Sequence, residues 1–184
     1  MQFLDLLVGK KNLMNKSKIA FIGPESSGKT SLAEECARLF NGIYIPEFAR
    51  EYLSSKGDFY KYSIDDLLFI AEKQFESFKK PSGKILFIDT EMIVMSIWAK
   101  DKFGFIPDKI LKLTANQQID KYYLCKPDFP WQFDKLREDP GRQNDIFDLY
   151  KLTLDSYNIN YEVLFGDFGS RIKKIELFLS SDKL

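Results

Sequence analysis

The sequence predicts an α/β fold, a five-stranded parallel sheet with helices on both faces, and three features predict it. Short apolar runs alternate with longer segments of helical periodicity, the order that builds strand, crossover helix and strand again. The first run, Ile19-Ala20-Phe21-Ile22, leads directly into Gly23-Pro24-Glu25-Ser26-Ser27-Gly28-Lys29-Thr30, which has the spacing of a Walker A phosphate loop. A later run, Lys84-Ile85-Leu86-Phe87-Ile88, ends in Asp89, the pattern of a Walker B acid closing a buried parallel strand. A chain of 184 residues suits one such P-loop domain with a small lid.

Residues 1–16 carry Phe3, Leu4, Leu6, Leu7 and Val8, but the lysines follow this run rather than precede it. They are expected to form an amphipathic helix or extension ahead of a kinase domain at 17–184, not a signal peptide or membrane span. The first strand is expected at 18–22 and the first helix at 29–40, where Leu32, Cys36, Leu39 and Phe40 recur at helical spacing and Ala33 and Ala37 keep the face small enough to lie on a sheet. A second strand at 43–45 runs into Pro46-Glu47 and leaves Glu47 at a carboxyl end, where parallel sheets present functional groups. Arg50, Glu51 and Tyr52 open the next helical stretch, and 54–62 is polar. Ile64, Leu67, Leu68, Ala71, Phe75 and Phe78 form one face of a helix over 64–78, stopped by Pro81-Ser82-Gly83. The third strand spans 84–90, helices follow at 91–100 and 107–114, and a fourth strand occupies 122–125. Residues 128–143 break the pattern: Pro130, Trp131, Arg137, Pro140, Gly141 and Arg142 make an irregular charged segment, the expected lid. A helix at 144–157, a fifth strand at 161–165, a turn at Gly166-Asp167-Phe168-Gly169 and a helix at 170–179 complete the chain.

Composition excludes several chemistries. Lys plus Arg and Asp plus Glu are 27 each, so no overall charge draws the chain to nucleic acid or an anionic membrane, and neither is an expected partner. There is no histidine, which removes a histidine base, a Ser-His triad and a His-ligated zinc site. Cys36 and Cys125 lack paired spacing and read as buried reduced thiols of a cytoplasmic protein.

The phosphate loop sets the chemistry. Backbone N–H groups surround a phosphate chain only where side chains do not block the approach, so Gly23 and Gly28 frame a cradle that also includes Glu25, Ser26, Ser27 and Ser31. Lys29 reaches the β- and γ-phosphates of ATP, Thr30 offers a hydroxyl to Mg²⁺, and the following helix turns its positive end to the anion. Phosphoryl transfer further needs charge neutralisation and an oriented nucleophile. Asp89 is a candidate for the metal, unless it only caps the next helix. Glu47 is a candidate to accept a proton from a substrate hydroxyl, unless it only pairs with Arg50 at the surface. Glu47 and Asp89 compete for the base role. Arg50 is a candidate substrate clamp, and Arg137 and Arg142 are candidates to close over the transferred group, unless they form a solvated face with Asp134, Glu138 and Asp139. Trp98 and Trp131 read as core, and Phe168 as a border of the adenine site.

The loop, together with Pro46-Glu47-Phe48-Ala49-Arg50-Glu51-Tyr52, Phe87-Ile88-Asp89-Thr90, Lys126-Pro127-Asp128-Phe129-Pro130-Trp131 and Asp134-Lys135-Leu136-Arg137, resembles the ribosylnicotinamide kinase domain of NadR-type NAD-biosynthesis proteins over about 18–179. The resemblance implies a nucleoside-monophosphate-kinase-like fold that moves the γ-phosphate of ATP to the 5′-hydroxyl of nicotinamide riboside. It places Glu47, Arg50 and Asp89 on the substrate and metal side and Asp134 and Arg137 in the lid. Two positions depart from the family pattern: Lys135 stands where the lid motif carries glycine, and Pro46 where an aromatic residue can precede the glutamate. The alternatives are a kinase for another nucleoside or deoxynucleoside and a non-catalytic nucleotide-binding switch. A glutamate closing the second strand also resembles the deoxynucleoside kinases.

Overall fold

The computed structural model describes residues 17–57, 60–79, 84–130 and 141–180. Five parallel strands, β1 (Lys18–Ile22), β2 (Ile43–Ile45), β3 (Leu86–Asp89), β4 (Lys121–Cys125) and β5 (Tyr161–Leu164), lie in the order β2-β3-β1-β4-β5. The strand of the phosphate loop is therefore central. The helices between and after them are α1 (Lys29–Leu39), α2 (Phe48–Ser55), α3 (Ile64–Lys79), α4 (Met92–Phe103), α5 (Asp108–Asn116), α6 (Gln143–Ser156) and α7 (Phe168–Ser180). Register aligns Phe21 with Asp89 on one side and with Tyr123 on the other, so the carboxyl ends of β1, β3 and β4 finish together. That shared edge is where an open α/β sheet gathers its ligand groups.

Alternation along β1 sorts the core. Ile19 and Phe21 face α1 and α7 beside Leu32, Cys36 and Ile175, while Ala20 and Ile22 face α4 and α6 beside Ile93, Ile97 and Leu154. Both faces are fully buried, which is why this strand reads as an unbroken apolar run rather than an alternating one. On the first face the Phe21 ring lies between Phe87 at 6.4 Å and Tyr123 at 5.7 Å. Beyond β3, a further apolar cluster joins α2, α3, α4 and α5 through Ala49, Leu67, Phe75, Met95 and Ile110. Cys36 and Cys125 are free and buried, and burial pushes both thiols up to about 12.

Two helix starts and one buried position differ from the expectation, each for a local reason. The last helix begins at Phe168, inside the expected turn, because Asp167 caps it by accepting from Ser170 N at 2.8 Å and Ser170 Oγ at 3.1 Å. Helix α2 starts at Phe48, ahead of Arg50, because Gln74 Oε1 accepts the Phe48 N–H at 2.7 Å. Leu39, expected on the buried face of α1, sits in its last turn and is 45% exposed. Phe40 takes that place instead, 6.2 Å from the Phe87 ring.

Helix α3 opens with a capping box: Ser63 Oγ accepts from Asp66 N at 3.2 Å while Asp66 Oδ2 accepts from Ser63 N at 2.8 Å. Tyr52 and Tyr60 also donate to the Asp66 carboxylate, at 2.6 and 2.9 Å, which ties α2 to α3. Helix α4 is capped by Glu91, whose carboxylate accepts from Ile93 N at 2.8 Å and Val94 N at 3.3 Å. Burial pushes that carboxyl up to about 7.

Two outcomes follow. Gly42 precedes β2, and a Cβ there would lie 2.5 Å from the Phe87 ring and 2.8 Å from Ile85 O; Gly42→Ala is expected to lower stability by about 1–3 kcal/mol in chemical denaturation. Because the Glu91 carboxyl titrates higher in the fold than its ordinary 4.5, its protonated form favours the fold, and this contribution is lost as pH rises toward about 7. Glu91→Gln, neutral throughout, should reduce the fall in unfolding free energy between pH 5 and pH 8 by up to about 3 kcal/mol; an unchanged pH slope would contradict the assignment.

Candidate active site

The loop between β1 and α1 takes a conformation that few residues tolerate. Gly23 has φ 137° and Gly28 φ 82°, and a Cβ on Gly23 would lie 2.6 Å from Cys125 O. Both framing glycines are required by geometry. Gly28 is also the N-cap of α1, without a side-chain hydrogen bond and with no acidic residue in the first turn. The positive end of α1 is thus left for an external anion.

The loop carbonyls are held from outside. Ser27 Oγ donates to Pro24 O at 2.8 Å, Lys29 Nζ donates to the same oxygen at 2.9 Å, and Gln143 Nε2 donates to Glu25 O at 2.8 Å. Arg171, fully buried on α7, donates to Ser27 O at 2.8 Å, Lys126 O at 2.9 Å and Gly166 O at 3.0 Å, and also meets Asp128 Oδ2 at 3.3 Å. Its guanidinium stacks 4.6 Å from the Phe129 ring, which in turn lies against Gly28.

Opposite the loop stand two carboxylates. Asp89, at the end of β3, accepts from Thr30 Oγ1 at 2.6 Å through Oδ2, while its Oδ1 is buried without a partner. Asp89 is not the helix cap, since Glu91 fills that role. Glu47 is the N-cap residue of α2 but makes no capping hydrogen bond. Burial and the charge of Asp89 raise its carboxyl above the usual carboxylate range, while Lys29 and Arg50 act against the rise. Burial likewise raises Asp89 against Lys29, Thr30 and Arg50. Glu47 thus stands among the charges of Asp89, Lys29 and Arg50. Gln74, fully buried on α3, fixes the spacing: it accepts from Phe48 N and donates to Pro46 O at 3.2 Å and Thr90 O at 3.0 Å. Gln74 thereby ties the residues around Glu47 to those around Asp89.

The loop and Glu47 border one cleft of about 410 Å³, and the buried Asp89 meets it through Thr30. Gly23 through Ser31 form its floor, Glu47, Arg50 and Thr90 one wall, and Leu53, Val94, Ile97 and Trp98 an apolar extension of that wall. Phe129, Pro130, Tyr150 and Phe168 border it elsewhere. Trp98, expected in the core, packs against two apolar clusters and also borders the cleft. Arg142, expected over the transferred phosphate, instead pairs with Asp101 at 2.8 Å, and its neighbour Gln143 reaches the loop. Arg137, Asp134 and Trp131 lie outside the described residues, as does most of the expected lid. Sequence reasoning missed Arg171, Gln74 and Gln143. Their partners here are mostly backbone atoms, which leave no motif.

Comparison with known proteins bears on the family and the fold. Over 124 residues the chain is 31% identical to the trifunctional NAD biosynthesis/regulator protein NadR of Salmonella typhimurium, and equally to that of Escherichia coli. The match covers 65% of this chain but only 30% of those proteins. The fold is similar to a crystal structure of NadR protein in complex with NR, with TM-score 0.76 and 19% identity over 96% of this chain and 54% of that one. It is also similar to deoxyadenosine kinase from M. mycoides, with TM-score 0.62 and 15% identity over 90% of this chain and 100% of that one. The family model described as AAA domain, AAA_28, matches residues 18–171, and the chain belongs to that family.

Proposed function

We propose that the chain is an ATP-dependent kinase that phosphorylates the 5′-hydroxyl of nicotinamide riboside to give nicotinamide mononucleotide. The observation that carries this is the pairing of a phosphate loop with Glu47 across one cleft, with Asp89 held behind the Thr30 hydroxyl of that loop. A nucleotide-binding switch needs the loop, but not a second carboxylate raised by burial on the facing wall. The likeness to NadR supplies the acceptor.

Each residue then has a role. The amides of 23–31 and the amino end of α1 bind the phosphates, and Lys29 leaves Pro24 O for the β- and γ-oxygens. Thr30 Oγ1 and Asp89 are the residues to hold Mg²⁺: both donors are oxygen, and Asp89 Oδ1 is buried without a partner. Among the described residues no cluster of three or more His, Cys, Asp or Glu side chains could hold a metal. Bound there, the ion neutralises charge on the transferring phosphoryl oxygens. With Asp89 turned to Thr30, Glu47 is the base. It takes the proton of the 5′-hydroxyl as the new P–O bond forms, the β,γ-bridging bond breaks and ADP leaves. Arg50 sits on the same wall and orients the acceptor. Among the described residues no helix is long and apolar enough to cross a membrane, in keeping with a cytoplasmic site of action.

The similarity to deoxyadenosine kinase favours another nucleoside as the second reading. The two are separated by measuring ADP release from Mg-ATP with nicotinamide riboside, uridine, cytidine, adenosine, deoxynucleosides and no acceptor. Turnover with nicotinamide riboside alone is the expected result, and rates no higher than the no-acceptor blank would defeat the kinase reading. Lys29→Ala should lower kcat by about 10²–10³-fold, the scale for one lost preorganised charge. A base must first shed its proton, and the Glu47 carboxyl is raised, so the acidic limb of kcat/KM for the acceptor should lie above the usual carboxylate range. Glu47→Gln should lose about 10²–10⁴ in kcat together with that limb; a limb kept by Glu47→Gln and lost by Asp89→Asn would exchange the two roles.

A further inference from the structure

Thr90 has no part in the mechanism above, yet its geometry is costly. It follows Asp89 between β3 and α4 with φ 75°, in the left-handed region where a β-branched residue is an outlier. The backbone is held there from both sides: Thr90 N donates to Phe21 O at 3.4 Å, and Thr90 O accepts from Gln74 at 3.0 Å. The side chain is fully buried and borders the cleft, and its Oγ1 has no hydrogen-bond partner. A buried hydroxyl without a partner is unfavourable, and nothing in the free protein compensates for it. Strain of this kind collects where a bound molecule completes the site.

Position names the partner. Glu47 borders the cleft with the phosphate loop, where Asp89 lies behind Thr30, and Val94, Ile97, Trp98 and Leu53 make its apolar end. In chain order Thr90 lies between Asp89 and the α4 residues of that apolar end. A nucleoside with its 5′-oxygen at the carboxylates and its base on the apolar surface sets its sugar between them. We infer that Thr90 Oγ1 is a hydrogen-bonding contact for a ribose hydroxyl of the acceptor, and that this contact makes the cleft prefer ribosides to deoxyribosides. The assignment rests on the nucleoside-kinase reading but not on the identity of the base. A neutral hydroxyl that both donates and accepts suits a sugar hydroxyl, which does the same.

Thr90→Val and Thr90→Ser test it, because valine keeps the shape and branching and removes only the hydroxyl, while serine restores it. The readouts are Tm of the free protein and KM and kcat for ATP, for nicotinamide riboside and for its 2′-deoxy and 3′-deoxy analogues. Thr90→Val should leave Tm unchanged or higher, raise KM for the riboside about tenfold and leave KM for ATP unchanged. The wild-type protein should disfavour one deoxy analogue about tenfold, Thr90→Val should show no such preference, and Thr90→Ser should recover it. A wild-type riboside KM and preference in Thr90→Val would overturn the assignment. So would a fall in Tm with ATP and acceptor affected alike, which would make the hydroxyl a purely structural group. If another ribonucleoside is the acceptor, the same comparison on its deoxy analogues decides; if the wild-type protein phosphorylates no nucleoside, the kinase reading fails and the Thr90 assignment with it.

Discussion

The buried guanidinium of Arg171 holds the phosphate loop to the rest of the sheet. A loop that turns its N–H groups toward an anion must turn carbonyls away from it, and away from it means into protein, where each needs a donor. Arg171 supplies donors in a rigid plane: Ser27 O belongs to the loop, Lys126 O follows β4 and Gly166 O follows β5. A fully buried cation is unfavourable alone, but three carbonyl dipoles, the Asp128 carboxylate and the Phe129 face surround this one. Removing one partner of such a set commonly costs about 3–5 kcal/mol, because the others are left buried and unpaired. The shape of the anion cradle is thus fixed from α7, the last helix in the chain.

Gln74 does for the carboxylates what Arg171 does for the loop. β2 and β3 are paired through Ile45 and Ile88, but strand pairing alone leaves the residues beyond the strand ends undetermined. The Gln74 amide spans that gap, with its oxygen on the Phe48 N–H and its nitrogen on Pro46 O and Thr90 O. Glu47 and Asp89 are thereby placed near enough for the charge of one to raise the carboxyl of the other. Mutual repulsion would normally push such a pair apart; here Lys29 and Arg50 counter it from the cleft side and the amide holds the backbone from the core side.

The strands and the loop were legible because burial on both faces and the need for glycine write directly into residue type. Ile19 through Ile22 and Gly23 through Thr30 could be placed from such signals alone, and all five strands fell within two residues of their expected bounds. Asp89 and Glu47 were legible as candidates because parallel strands end where ligands bind. Choosing between function and capping for Asp89 was not legible, since the competing cap, Glu91, lies only two residues on and has the same chemistry. Arg171, Gln74 and Gln143 left no signal, because a side chain that serves distant backbone oxygens is constrained by the fold and not by its neighbours in sequence. Arg142 shows the converse: its charge suggested a phosphate, and in the structure it pairs with Asp101 on α4, a partner that sequence spacing does not reveal.

The electrostatics of the cleft connect these supports to the chemistry. With every carboxylate ionised, Glu25 and Glu47 would cancel Lys29 and Arg50 along the cleft, and Asp89 behind Thr30 would turn the balance against a polyanion. Burial reduces this at Glu47, whose raised carboxyl retains a proton more readily than an exposed carboxylate does. The α1 amino end and Lys29 then present the dominant field to an arriving phosphate chain. Bringing Lys29 onto the phosphates takes it from Pro24 O but not from the cleft, so its charge continues to act on both carboxylates. The same burial that makes Glu47 retain its proton in the free protein makes it a stronger base once that proton has gone, and a stronger base is what an alcohol nucleophile requires.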